Sequence, residues 1–226
     1  MKQLNHLFLL FMILSFLFRC SPVLSDLQSA RHLEEGQIEV TPAGSWQGWS
    51  EERDQDQQYH VGVQAGLGVS KKLEARLRYE LINYSIDFSD TDAPFFSPES
   101  ETLNIHSLAM GMKYSLIEDR LSVYLPVGFG FGSDAGDVSQ TLQAQPTLLF
   151  THRFADFVEV TPSVKYLWLF DNDDFYGFNL GAGLSTDLDK WAIRPEFGYF
   201  NNSSVGGYFW HFSVGFSWRT GVLFDE

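Results

Sequence analysis

Ten charged residues stand at alternate positions among mostly apolar neighbours: Glu74, Arg76, Arg78, Glu80, Lys113, Glu159, Lys165, Arg194, Glu196 and Arg219. Six are basic and four acidic. An isolated charge in a tight apolar setting costs several kcal/mol, so mixed signs imply a compensating network, and the same residues would also suit the wall of a narrow passage. Other groups that could do chemistry are fewer. His211-Phe212-Ser213 holds a His-x-Ser pair of the kind used for nucleophilic catalysis, but Asp225 and Glu226 lie beyond its segment and no good carboxylate partner is in view. His60, His106 and His211 all begin segments, and three His at one rim could hold a divalent ion. The parity of Leu108, Met110 and Met112 turns His106 away from the other two, so no metal site is expected. Asp171-Asn172-Asp173-Asp174 opens like a calcium loop, yet it lacks the Gly and the distal Glu that close one and reads as a solvated acidic loop. No cofactor-binding residues are read, and no cofactor is expected.

The elements that position these groups follow a period of two, the signature of strands with unlike faces. Tyr59, Val61, Val63, Ala65, Leu67 and Val69 alternate with His60, Gly62, Gln64, Gly66, Gly68 and Ser70, and Trp210, Phe212, Val214, Phe216 and Trp218 with His211, Ser213, Gly215, Ser217 and Arg219. Ten such segments are expected, at about 37–46, 58–69, 73–88, 102–116, 121–132, 140–151, 157–170, 176–186, 191–200 and 208–219. The connections alternate in length. Those at 70–72, 117–120, 152–156 and 187–190 are short, while 47–57, 89–101, 133–139, 171–175 and 201–207 are mostly longer and polar.

The polar face decides what surrounds such a sheet. It is rich in Gly and poor in the Lys, Glu and Thr that bulk water would favour. Pairing about the turn at 70–72 sets Gly68 against Glu74 and Gly66 against Arg76, and pairing about 187–190 sets Gly183 against Arg194 and Gly181 against Glu196. Small opposite large suits a narrow interior filled by side chains. The apolar face offers Tyr166, Trp168, Phe170, Tyr176, Phe178, Tyr199, Phe209 and Trp210 towards the long-loop ends, and Tyr114, Trp191 and Trp218 towards the short-turn ends, as two aromatic girdles.

The net charge of -14 argues against a protein that grips a phosphate backbone, so no nucleic acid is expected as a partner. Leu7 to Phe18 form an apolar run of secretory length, too short for a spanning helix. Residues 1–25 are read as a signal peptide cut after Val23-Leu24-Ser25, or residues 1–19 if Cys20, the single cysteine, is the lipidated first residue. Residues 26–36 are then expected as a periplasmic N-terminal segment and 37–226 as the barrel.

The alternation and the loop asymmetry over about Gln37 to Arg219 resemble the bacterial outer-membrane β-barrel superfamily, in the style of its small OmpA-like, OmpX-like or OmpW-like members. DLQSARHLEEGQIEVTP looks like the leader-to-first-strand region of some lipoprotein-type barrels. FSVGFSWRTGVLFDE partly resembles the carboxy-terminal assembly signal through Phe216 and Trp218. The resemblance implies an all-β, ten-stranded antiparallel up-and-down transmembrane barrel in the outer membrane, both termini periplasmic. Its partners would be outer-membrane lipid and the barrel-assembly machinery, and its state monomeric. Some relatives of this superfamily are lipid A deacylases with a His-x-Ser pair, or omptin proteases with acids at the outer rim. Here the alternation aims His211 and Ser213 inward and the acids lie mostly in loops, so a non-enzyme is expected. Its lumen is expected narrow or sealed and charge-filled, serving envelope structure, surface interaction or limited small-solute passage, with a channel for small or hydrophobic solutes as the alternative.

Overall fold

Alternating sequence becomes strand nearly throughout the computed structural model, which describes residues 23–51, 54–86, 101–133, 135, 142–170, 174–202 and 207–221. The strands are β1 (Ile38–Glu51), β2 (Asp54–Ser70), β3 (Leu73–Ile86), β4 (Glu101–Ile117), β5 (Leu121–Phe131), β6 (Gln143–Ala144), β7 (Thr147–Phe150), β8 (His152–Ala155), β9 (Val158–Leu169), β10 (Phe175–Leu184), β11 (Trp191–Asn202) and β12 (Tyr208–Arg219). All pairings are antiparallel, and β12 pairs with β1, from Glu39 opposite Arg219 to Ser50 opposite Tyr208. The sheet is therefore closed. The short segments β6, β7 and β8 follow one another along a single course between β5 and β9, so the barrel has ten spans.

The sixth span is interrupted between β6 and β7 by two prolines. Pro126 accepts from the Gln145 N–H at 3.0 Å and Pro146 from the Tyr166 N–H at 3.0 Å, but neither proline has an N–H to return. The Gln145 carbonyl is satisfied instead by the Thr147 hydroxyl, which donates at 2.9 Å.

At the long-loop end the first two strands run further than their composition suggests. Most of 47–57, expected as a loop, is strand, with Gln47 opposite Gln58 and Glu51 opposite Asp54. Polar residues there extend the ladder because β1 and β2 are already paired below. The loop residues 87–100, 136–141, 171–173 and 203–206, the tail 222–226, and residues 1–22 with Cys20 lie outside the described residues. The registers expected from the short turns are present: Gly66 lies opposite Arg76, Gly68 opposite Glu74 and Gly181 opposite Glu196.

The outward face is apolar. Val61, Met110, Leu125, Val127, Val164, Leu180 and Phe197 are all exposed. Aromatic rings flank them, with Tyr59, Tyr166, Trp168, Tyr176 and Phe178 towards one end and Tyr114, Phe154, Phe157 and Trp218 towards the other. Phe209, expected in the outer girdle, faces inward and packs on Trp49 and Phe175 with ring centroids 4.4 and 5.1 Å away. It shares the parity of His211, two residues on. Among the described residues no helix is long and apolar enough to cross a membrane, which bears on helices alone.

Leu125 sits mid-strand and is 54% exposed. If lipid covers it, Leu125→Arg should destabilise the folded protein by about 2–4 kcal/mol, whereas Leu125→Phe should be nearly neutral. Urea unfolding of protein refolded into vesicles measures both.

Candidate functional site: a filled, charge-paired lumen

The interior is occupied by the chain's own residues 23–33, which continue to a turn at 34–36 where Glu34 and Glu35 are exposed. Residues 26–36 were expected as a periplasmic segment, with 23–25 as the end of a leader cut after Ser25, and the placement of this strap in the lumen is the main departure from the sequence reading. Val23 packs with Ile82, Ile105 and Ala135 near the long-loop end, while Gly36 donates to the Gly68 carbonyl at 2.9 Å at the short-turn end. The strap therefore descends the lumen, turns at Gly36 (φ 76°), and β1 climbs back.

Its backbone needs partners, because extended chain inside a barrel has no ladder of its own. Side chains supply them. Lys165 Nζ donates to the Leu24 carbonyl at 2.8 Å, and Asn179 donates to the same oxygen at 3.1 Å. Arg78 donates to the Ser25 carbonyl and, at 2.6 Å, to its hydroxyl. Gln64 reaches the Asp26 carbonyl at 3.1 Å, Ser122 the Ala30 carbonyl at 2.6 Å, and Lys113 the Ser29 and Arg31 carbonyls at 3.1 and 2.8 Å. In the other direction, Glu196 accepts from the N–H groups of Asp26 and Leu27 at 2.7 and 2.8 Å, and Glu74 from Leu33 at 2.7 Å. Leu27 holds φ at 52°, a conformation that costs a leucine about 1–3 kcal/mol and persists only where contacts over-determine it. Here it brings two successive N–H groups onto one carboxylate, an anion-binding nest.

All ten charged residues identified from the alternation point inward and are buried. Two more acids join them, Glu39 on β1 and Asp26 on the strap, so that among the described buried residues six acids face six bases. Glu39 bridges Arg76 and Arg219 at 3.0 and 2.8 Å, and Glu74 bridges Arg76 and Lys113 at 2.9 Å each. Arg194 pairs with Glu159 at 2.9 Å, Arg78 with Glu80, and Lys165 with Asp26 at 2.8 Å. Asp26 also accepts from Ser163 and Asn179, both at 2.7 Å. Glu39 was legible in the sequence, since it alternates with Ile38 and Val40. Asp26 was not, because the strap carries no alternation.

The strap is tied at both ends. Above the charged tiers Leu24 joins Leu167, Leu169, Phe175 and Phe200 in an apolar cap, against which Trp49 and Phe209 pack. Below them Arg31 reaches Asp189 in the turn after β10 and the Leu188 carbonyl at 3.3 Å, and His32 donates through Nε2 to the Ser70 carbonyl at 2.7 Å. The hydrogen bond from Arg31 holds the Asp189 carboxyl below its ordinary range. Little space is left. A cavity between Asp26, Arg78, Tyr124, Gln145 and Lys165 has about 10 Å³ of free volume, roughly one water molecule's worth.

The other candidate groups fall into place inside this packing. Ser213 and His211 are together, Oγ 2.9 Å from Nδ1, and His211 Nε2 donates to Asn179 at 3.0 Å. Glu196 is 3.9 Å from that nitrogen, so an amide holds the position a catalytic carboxylate would need. Both side chains are buried beneath the strap, which leaves no approach for a lipid in the bilayer. His60 faces inward onto Glu80 at 3.0 Å, whereas His106 faces outward and bonds the Tyr79 hydroxyl at 2.7 Å. The three His do not converge, and among the described residues no three potential ligands are grouped to hold a metal ion. Of the acidic loop, 171–173 lie outside the described residues.

A closed antiparallel sheet with an apolar, aromatic-flanked exterior and its charges turned inward settles the architecture. The fold is that of a small transmembrane β-barrel. No family model and no curated protein matches the sequence. Among solved structures the chain is similar to an outer membrane channel from Pseudomonas putida F1, with 10% identity, a TM-score of 0.47, and coverage of 87% of this chain and 100% of that one. It is also similar to the translocator domain of the autotransporter NalP from Neisseria meningitidis, with 11% identity, a TM-score of 0.43 and coverage of 84% and 90%. A third is Ail, the attachment invasion locus protein of Yersinia pestis, with 9% identity, a TM-score of 0.39 and coverage of 82% and 99%. At such identities the likeness concerns shape and carries no activity across.

Two sets of substitutions test the packing. Asp26→Asn should cost about 3–5 kcal/mol by leaving Lys165 without its counter-charge, and adding Lys165→Met should recover a large part of the loss; urea midpoints of the two variants and the wild type decide. A Cβ at Gly183 would lie 2.7 Å from Glu159 Cγ. Gly183→Leu should therefore destabilise by about 1–3 kcal/mol in the same assay, while the lipid-facing Val164→Leu should change little.

Proposed function

We propose that this chain is a non-enzymatic integral outer-membrane protein whose lumen is closed by its own N-terminal strap, and that it serves envelope structure or surface interaction. The observation that carries the reading is the occupied lumen. A barrel built to pass solute keeps a continuous wet path, whereas here the cations and carboxylates of the wall are spent on the strap and on one another. The apolar belt supports outer-membrane lipid as the surrounding medium. The difference between short turns and long connections supports an orientation with the short turns, the start of β1 and the end of β12 facing the periplasm. Insertion would then depend on the barrel-assembly machinery, and closure of β12 on β1 supports a monomer.

Limited small-solute passage is the second reading. It is favoured by one observation: side chains rather than a β-ladder hold the strap, so the strap can leave without opening the sheet. Planar-bilayer recording separates the two. The wild type should show no steady conductance steps. Leu24→Asp, which drives the strap out of its apolar cap, should produce them. Steady conductance in the wild type that Leu24→Asp does not alter would establish an open channel.

A further inference from the structure

We propose that the barrel presents its own N-terminal end at the cell surface: the lumen is a built site for an extended peptide, and the strap in it runs outward. The inference rests on the orientation proposed above. It starts from the direction of the chain. From Gly36, at the level of the Gly68 carbonyl, the strap passes Leu33 beside Glu74 near the start of β3, then Asp26 beside Lys165, and reaches Val23 among Ile82, Ile105 and Ala135. Read backwards along the chain, that path leads from the short-turn end to the long-loop end.

The site recognises backbone more than side chains. Lys165, Asn179, Arg78 and Lys113 donate to main-chain carbonyls of the strap, and Glu196 and Glu74 accept main-chain N–H groups. Such a groove holds a peptide chiefly through its extended main chain, and it brings Val23 to the long-loop mouth. Leu24 and Ser25 are part of the bound peptide, through carbonyls that Lys165, Asn179 and Arg78 grip. Leader removal immediately before Asp26 would discard both. The mature protein therefore keeps Val23 to Ser25, and processing lies upstream of Val23.

Two measurements on the full-length precursor test this. Mass spectrometry of the wild-type mature protein should find a first residue at or before Val23; a start at Asp26 or later overturns the proposal without any variant. Next, an epitope is inserted between Pro22 and Val23, and separately in the Lys71-Lys72 turn, with heat-dependent mobility in detergent gels confirming that each variant folds. Antibody on intact cells should label the first and miss the second, which should appear only after the outer membrane is permeabilised. A Pro22 epitope that also needs permeabilisation, with the turn epitope still hidden, overturns outward display while leaving the orientation intact. A turn epitope labelled on intact cells overturns the orientation itself, and outward display with it.

Discussion

Charge balance inside a closed wall is the constraint on which the rest of this structure depends. Ten spans leave a narrow lumen in which the described charged side chains pair with one another and little free volume remains among them. The wall alone places six bases against Glu39, Glu74, Glu80, Glu159 and Glu196, one negative charge short. Asp26 supplies it, and Asp26 arrives on a segment that is not part of the wall. Folding the strap into the lumen is thus coupled to neutralising Lys165, and leaving either group alone would cost several kcal/mol.

The same coupling explains the distribution of small and large residues. Gly66, Gly68, Gly183 and Gly215 lie where a Cβ would meet Leu33, the Glu34 carbonyl, Glu159 or Thr41. Part of the room they leave is taken by the strap and part by the long charged side chains that reach towards it. Near the long-loop end the interior changes character. Trp49, Phe175, Phe200 and Phe209 replace ions with rings, so the charged tiers are sealed from above by an apolar cap that contains Leu24. A lumen that is polar in the middle and apolar at one mouth holds an extended peptide in one direction only, because Leu24 and Arg31 could not exchange places.

Ser213, His211 and Asn179 lie within hydrogen-bond reach of one another inside the lumen. Their hydrogen bonds connect a hydroxyl, an imidazole and an amide in order. Asn179 then continues the chain of bonds to Leu24 and Asp26 of the strap. The His-x-Ser spacing is what any inward i, i+2 pair on a strand offers, and here it serves to hold the strap.

What the sequence by itself determined is the sheet: the period of two, the number of spans, the registers set by short turns such as 70–72, and the inward placement of residues such as Arg76 and Glu196. Each depends on neighbours along one strand or across one hairpin, so local pattern is enough to specify it. Even Glu39 could be read this way from Ile38 and Val40. The tertiary structure alone decided the position of the strap, the length of the first hairpin and the charge partner of Lys165. Asp26 and Lys165 are 139 residues apart and share no periodicity. They meet only because closure of β12 on β1 creates an interior whose unpaired charge and unfilled volume have to be met by whatever segment of chain remains.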